Sequence, residues 1–326
     1  MTALAERKMH RKYFSSIGWA LMVYLLIMYV CINAFAFWDA FSISLRQAMG
    51  EVISDEQRIE ILMSNGWGYL VTILIGMLAL WLWKGSGFVC NTLWTRGRPM
   101  KFGSFMALLC LFISGQSLFT VVVGIQESIL NAFCLTAMES IQSASMNADS
   151  LSMFLYAGIG APIMEEIVFR GFVLRQLEPY GKGFAIVMSA FAFGIFHGNI
   201  VQIPYAFLVG LVMGYVTVEY NILWAMVLHM INNLMLADFI TRVLPGMPGN
   251  ALVSLIIMAC SLVAAVLLLV RLKDIREYCE KNPIRDRDAG NFFSAPGMVA
   301  LELFVLYSVA SPLVDQIVAN MSQPIT

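Results

Sequence analysis

Residues 162–171 read PIMEEIVFRG, with two adjacent carboxylates, Glu165 and Glu166, and one guanidinium, Arg170. They stand inside an apolar run that begins near Leu151. Charged side chains are costly in contact with lipid, so they are rare there and mark a site. In a helix, Glu166 and Arg170 fall at i and i+4 and pair along one face. Glu165 points about 100° away from that face, free for other work.

The composition around this stretch is that of a membrane protein. Sixty per cent of the chain is hydrophobic and 13% is charged, far from the balance of a soluble domain. Uncharged runs at 14–38, 102–126 and 251–270 reach the roughly 20 apolar residues that cross a bilayer as a helix. Further runs at 67–83, 151–178, 184–199, 203–221, 222–240 and 297–314 predict an all-α polytopic fold of about eight to nine transmembrane helices. The chain divides into residues 1–150 (three helices and an external loop), 151–240 (helices four to seven, the chemical core) and 241–326 (one or two helices with a basic loop). Pro179-Tyr180-Gly181-Lys182-Gly183 is the turn between helices four and five.

Charge is distributed by loop. Arg7, Lys8, Arg11 and Lys12, then Lys84 to Lys101, then Arg271 to Arg287 all fall on one side in this count, while 39–65 and 127–150 are acidic and fall on the other. The positive-inside rule then predicts a cytoplasmic N-terminus, and the plasma membrane is the expected location. The first apolar run is too long for the core of a signal peptide and reads as a retained helix. The six cysteines are scattered without a C-x-x-C pair, which fits apolar packing rather than a zinc or disulfide framework. A net charge of −1 offers no basic face to nucleic acid.

Only three histidines exist. His10 is in the basic tail; His197, in FGIFHG, and His229, in LHMINN, are in predicted helices. Glu165 lies 16 residues before Gly181 and His197 16 after it, so an antiparallel hairpin sets both about 24 Å from the turn. Gly194 and Gly198 form a G-x-x-x-G that favours close helix approach. His229 and Asn233 share a helix face, with Asn232 off it. A buried Glu or His alone is often only a structural bond between helices; five polar groups at one depth predict a site. A carboxylate with a histidine can take a proton from water, and a second histidine with an amide can hold an oxyanion. The same residues could instead hold a divalent metal such as zinc, through Glu165, His197 and His229.

E-E-x-x-x-R at Glu165, Glu166 and Arg170, F-x-x-x-H at Phe193 and His197, and H-x-x-x-N at His229 and Asn233 resemble, in order, the motifs of the CPBP intramembrane proteases. That family holds the type II CAAX prenyl endopeptidases (Rce1-like) and bacterial Abi proteins. The resemblance covers residues 151–240. It implies Glu165 as general base, His197 orienting water, His229 and Asn233 stabilising the oxyanion, and Glu166 with Arg170 in support. It implies a membrane-embedded or lipid-anchored peptide or protein as substrate. The absence of H-E-x-x-H favours chemistry without a tightly held metal. Two other classes fit the same charges: a proton-coupled transporter, and a non-catalytic bacteriocin-immunity or scaffold protein. The first lacks the inverted repeat such carriers carry.

Overall fold

The computed structural model describes residues 3–144, 150–236 and 249–322. The fold is 87% helical, with no strand among the described residues. Twelve helices are used below: α1 (Ala3–Ala48), α2 (Asp55–Ser64), α3 (Trp67–Gly87), α4 (Phe102–Asn131), α5 (Met138–Ala144), α6 (Leu151–Tyr180), α7 (Lys182–Phe196), α8 (Gln202–Glu219), α9 (Ile222–Leu236), α10 (Gly249–Lys281), α11 (Asp286–Phe293) and α12 (Pro296–Met321). Seven of the helical segments are long and apolar enough to cross a membrane, and α7 and α9 are shorter apolar helices. Together they account for the nine apolar runs of the sequence. The predicted end of the seventh run, 237–240, falls outside the described residues.

Several boundaries differ from those that hydropathy alone predicts. The first helix extends well past the apolar run on both sides, through the basic residues and into the acidic segment. The rest of that segment is not all loop: it forms α2, started by a capping box in which Ser54 Oγ accepts from Gln57 N–H and Gln57 Oε1 accepts from Ser54 N–H. α10 likewise runs on to Lys281, through residues predicted as loop.

α6 is the hub. Most of its length is buried, whereas α1, α3, α4 and α10 turn most of their surface outward. The outward side chains include Tyr29, Leu74, Val121 and Leu269. Such exposure is expected where the surroundings are lipid rather than water. α7 packs against α6 and α8, and α9 packs against α6 and α8. α1 joins the two ends of the chain, because it packs along α12 and meets α11. Gly18 and Gly297 lie back to back there, each leaving no room for a Cβ. Gly297 N–H donates to Ser15 Oγ, and Arg287 pairs with Glu6.

Candidate active site

Two features of sequence shape α6 around the charged stretch. Its turns widen to π-helix at Tyr156–Gly160 and again at Ile167–Leu174, and such bulges recur at functional sites. In the first, Ala161 N–H donates to the Tyr156 carbonyl five residues back. The next donor in that pattern would be residue 162, a proline without an N–H. The Ala157 carbonyl is therefore free of the partner that pattern would give it, and it accepts from Asn233 Nδ2 at 3.0 Å. The proline of PIMEEIVFRG thus helps join α6 to α9.

Glu165 and Glu166 stand on the turn between the two widened segments. His229 of α9 reaches between them. Its Nδ1 is 3.0 Å from Glu166 Oε1, and its Nε2 is 3.7 Å from Glu165 Oε2. A carboxylate accepts, so Nδ1 donates to Glu166 and the ring presents Nε2 toward Glu165. The two carboxylates have different surroundings. Glu166 has a fully buried side chain and faces Arg170 Nη1 at 3.3 Å, also fully buried. Glu165 retains 29% of its side-chain exposure.

Arg170 is held in place by more than its partner. Its Nη2 donates to the Gly210 carbonyl at 3.4 Å, and the guanidinium lies 4.3 Å from the centroid of the Phe193 ring. Gly210 matters because a Cβ there would sit 3.3 Å from Nη2. The same Phe193 ring is 6.0 Å from His229 and 4.9 Å from His197. Phe169 packs on Phe193 and Phe196. These contacts fix α6 and α7 antiparallel, with 170 opposite 193, which brings Glu166 level with His197.

His197 is at the end of α7 rather than inside it, so the helix predicted to reach 199 stops at Phe196. Gly198 follows with φ +57, the left-handed conformation in which helices commonly end. Gly194 alone makes the close approach that the G-x-x-x-G suggested, and it does so against Ile203 and Phe207 of α8. His197 Nδ1 lies 2.9 Å from the Phe193 carbonyl. A carbonyl only accepts, so this nitrogen carries the proton and Nε2 is left open in the neutral ring. The structure thus brings Glu165, Glu166, Arg170 and His229 into contact. His197 joins them through the Phe193 ring, and Glu165 pairs with His229, with Tyr24, Tyr156 and Arg170 also within electrostatic reach.

Asn233 is oriented by residues the sequence did not single out. Asn232 Nδ2 donates to Asn233 Oδ1 at 3.2 Å, and Gln116 Nε2 of α4 donates to Asn232 Oδ1 at 2.8 Å. Gln116 also reaches Tyr205 Oη of α8 at 2.7 Å. The amide oxygen of Asn233 is therefore taken, and one N–H is on Ala157; the second N–H is the group available to a ligand. Nothing in the pattern around Gln116 marked it, because the contact joins helices more than a hundred residues apart in the chain.

The donor set does not fit a metal. A catalytic zinc takes three protein ligands, and among the described residues no three His, Cys, Asp or Glu side chains converge to hold an ion. Both nitrogens of His229 already face carboxylates, and Glu166 Oε1 lies beside Arg170.

Residues 147–235 match the family model described as type II CAAX prenyl endopeptidase Rce1-like. The match takes in all six site residues, from Glu165 to Asn233. No curated protein and no solved structure matches the chain. The buried helices that hold the charged cluster lie inside the stretch that is similar to this family.

Proposed function

We propose that this Rce1-like domain hydrolyses a peptide bond of a membrane-associated peptide or protein, with Glu165 as the general base. The observation that carries the proposal is the unequal treatment of two neighbouring carboxylates. Glu166 is sealed and neutralised by Arg170, whereas Glu165 is the one left partly exposed, with His229 Nε2 beside it.

Glu165 takes a proton from a water molecule as that oxygen bonds to the scissile carbonyl carbon. His197, its open Nε2 level with the carboxylates, orients the water. Negative charge then develops on the carbonyl oxygen. The free N–H of Asn233 donates to it, as does Nε2–H of His229 when the ring is imidazolium, and both side chains are fixed before reaction, which is what makes such stabilisation effective. Collapse of the tetrahedral species breaks the C–N bond, and the proton held by Glu165 passes to the leaving amine. Glu166 keeps the imidazole in one orientation, and Arg170 in turn pairs with Glu166. No step is routed through a metal.

The test compares new peptide termini in membranes of cells that make the wild-type protein or the Glu165→Gln or His197→Ala variant. Termini present with wild type and reduced on the order of 10²–10⁴-fold in Glu165→Gln are expected, the usual contribution of a positioned base. Equal cleavage by wild type and both folded variants would sink the assignment. Glu165-dependent proton or solute flux in liposomes without cleavage would assign the charges to transport.

A further inference from the structure

Away from the charged cluster, α6 presents a second face, made of Met164, Val168 and Phe172. With α1 and α3 it walls an apolar cavity of about 460 Å³, within the roughly 300–1,000 Å³ range of small-molecule sites. Trp19 and Val23 of α1 and Trp83 of α3 line it and are each about half exposed, so the groove opens sideways, toward lipid. Its walls run from Ser16 to Ile27 on α1 and from Met164 to Phe172 on α6. At 1.5 Å per residue these are about 16 and 12 Å, close to half of the ~30 Å hydrocarbon core, the depth of one leaflet.

The two ends of the groove differ in chemistry. The inner end is closed by Tyr24, whose ring stacks on Phe196 at 5.7 Å and whose hydroxyl is within electrostatic reach of Glu165. Gly76 allows this close packing, since a Cβ there would strike the Tyr24 ring and approach Met164 to 3.0 Å. The outer end faces the side of the basic N-terminal residues and carries Lys84. Lys84 Nζ lies 4.9 Å from the Trp83 ring and 5.0 Å from the Phe172 ring, both walls of the groove. Its one described hydrogen bond is to Gln176 Oε1 at 2.7 Å, and among the described residues no carboxylate pairs with it. Lys12 is one turn from Ser16 on the same face of α1 and is exposed. The neighbouring acids are already paired, Glu6 with Arg287 and Glu178 with Arg175.

We propose that this groove binds one phospholipid with an anionic headgroup, its acyl chain lying between α1, α3 and α6. The headgroup sits on Lys84 and Lys12 at the basic side, between Trp19 and Trp83, a pairing of indoles and cations typical of the membrane interface. The chain runs inward to Tyr24 and ends beside Glu165. An apolar slot as deep as one leaflet selects the chain, and two lysines without acidic partners select the charge. A zwitterionic lipid satisfies only the first requirement.

The test uses the full-length protein extracted into detergent and exposed to equal amounts of phosphatidylglycerol and phosphatidylcholine with identical acyl chains, with retained lipid read by native mass spectrometry. Wild type is expected to retain one phosphatidylglycerol in preference. Lys84→Gln is expected to reduce that preference about fivefold, the conversion of about 1 kcal/mol per cation near anionic lipid. Lys84→Arg keeps the preference. Ala79→Phe, which fills the groove from α3, loses both lipids while the protein retains its helical content and elution volume. Equal retention of the two lipids, retention of neither, or an unchanged preference in Lys84→Gln overturns the proposal. Displacement of the lipid by an added single-span polyleucine peptide, with the lysines intact, would assign the groove to a transmembrane segment instead. None of these readouts requires cleavage, so they stand or fall apart from the proposed protease chemistry.

Discussion

The two ends of the charged cluster are built from the same residue types and are finished in opposite ways. At the sealed end, Glu166 and Arg170 are both fully buried, with a backbone carbonyl and an aromatic face beside the guanidinium. At the open end, Glu165, His197 and Asn233 are all partly exposed. A buried charge with a partner is a fixed object; a half-exposed one can exchange protons with what enters. The difference teaches that adjacent carboxylates need not share a job. Position relative to Arg170 decides which one braces and which one is free to react.

Breaking the sealed end should give the largest change in stability. Arg170→Met leaves Glu166 buried without its cation, and removing one partner of a buried pair costs about 3–5 kcal/mol. The measurement is denaturant or thermal unfolding of the purified protein in detergent. Glu166→Leu combined with Arg170→Met should recover part of the loss, because the pair is then absent rather than orphaned. If Arg170→Met alone unfolds no more easily than Glu165→Gln, the two ends are not energetically distinct, and the comparison fails.

The open end yields a finer test at Pro162. Proline in a helix interior costs about 3 kcal/mol relative to alanine in host peptides, so Pro162→Ala should leave stability unchanged or raise it. The new N–H can donate to the Ala157 carbonyl and compete with Asn233. If Asn233 stabilises an oxyanion, kcat should fall about tenfold, near 1.4 kcal/mol and within the range of one hydrogen bond, with KM little changed. A variant that is more stable and less active separates positioning from packing. Equal kcat would remove Asn233 and its proline from the chemistry.

The stretch at 162–171 announced the class of fold and the Glu166–Arg170 pair because charge in an apolar run is legible from composition, and i, i+4 pairing survives most helix distortions. The antiparallel register of α6 and α7 was legible for the same reason, from counting residues about Gly181. What escaped was anything set by distant contacts or altered helix geometry. Glu165 met His229 at short range, with His197 at the end of a shortened helix. The widened turns at 156–160 and 167–174 leave no mark in hydropathy. Gln116 and Tyr205 reach the site only because α4 and α8 fold beside α9, and Lys84, counted with a basic loop, proved to lie against two aromatic rings.

The smallest expected effect is that of a strong chelator. His229 is wedged between two carboxylates, so it could ligate an ion only by leaving Glu166, and Glu166 Oε1 already lies 3.3 Å from a guanidinium that would repel a divalent cation. Glu165 and His197 would then be two ligands where a catalytic zinc takes three. Cleavage measured with and without a strong chelator should therefore agree within about twofold, a difference under 0.5 kcal/mol in barrier height. Loss of activity with chelator, restored by zinc alone, would mean that His229 swings away from Glu166 in the working enzyme. The sealed end would then open during catalysis, and the boundary between the two halves of the cluster would be a state of the protein rather than a fixed division.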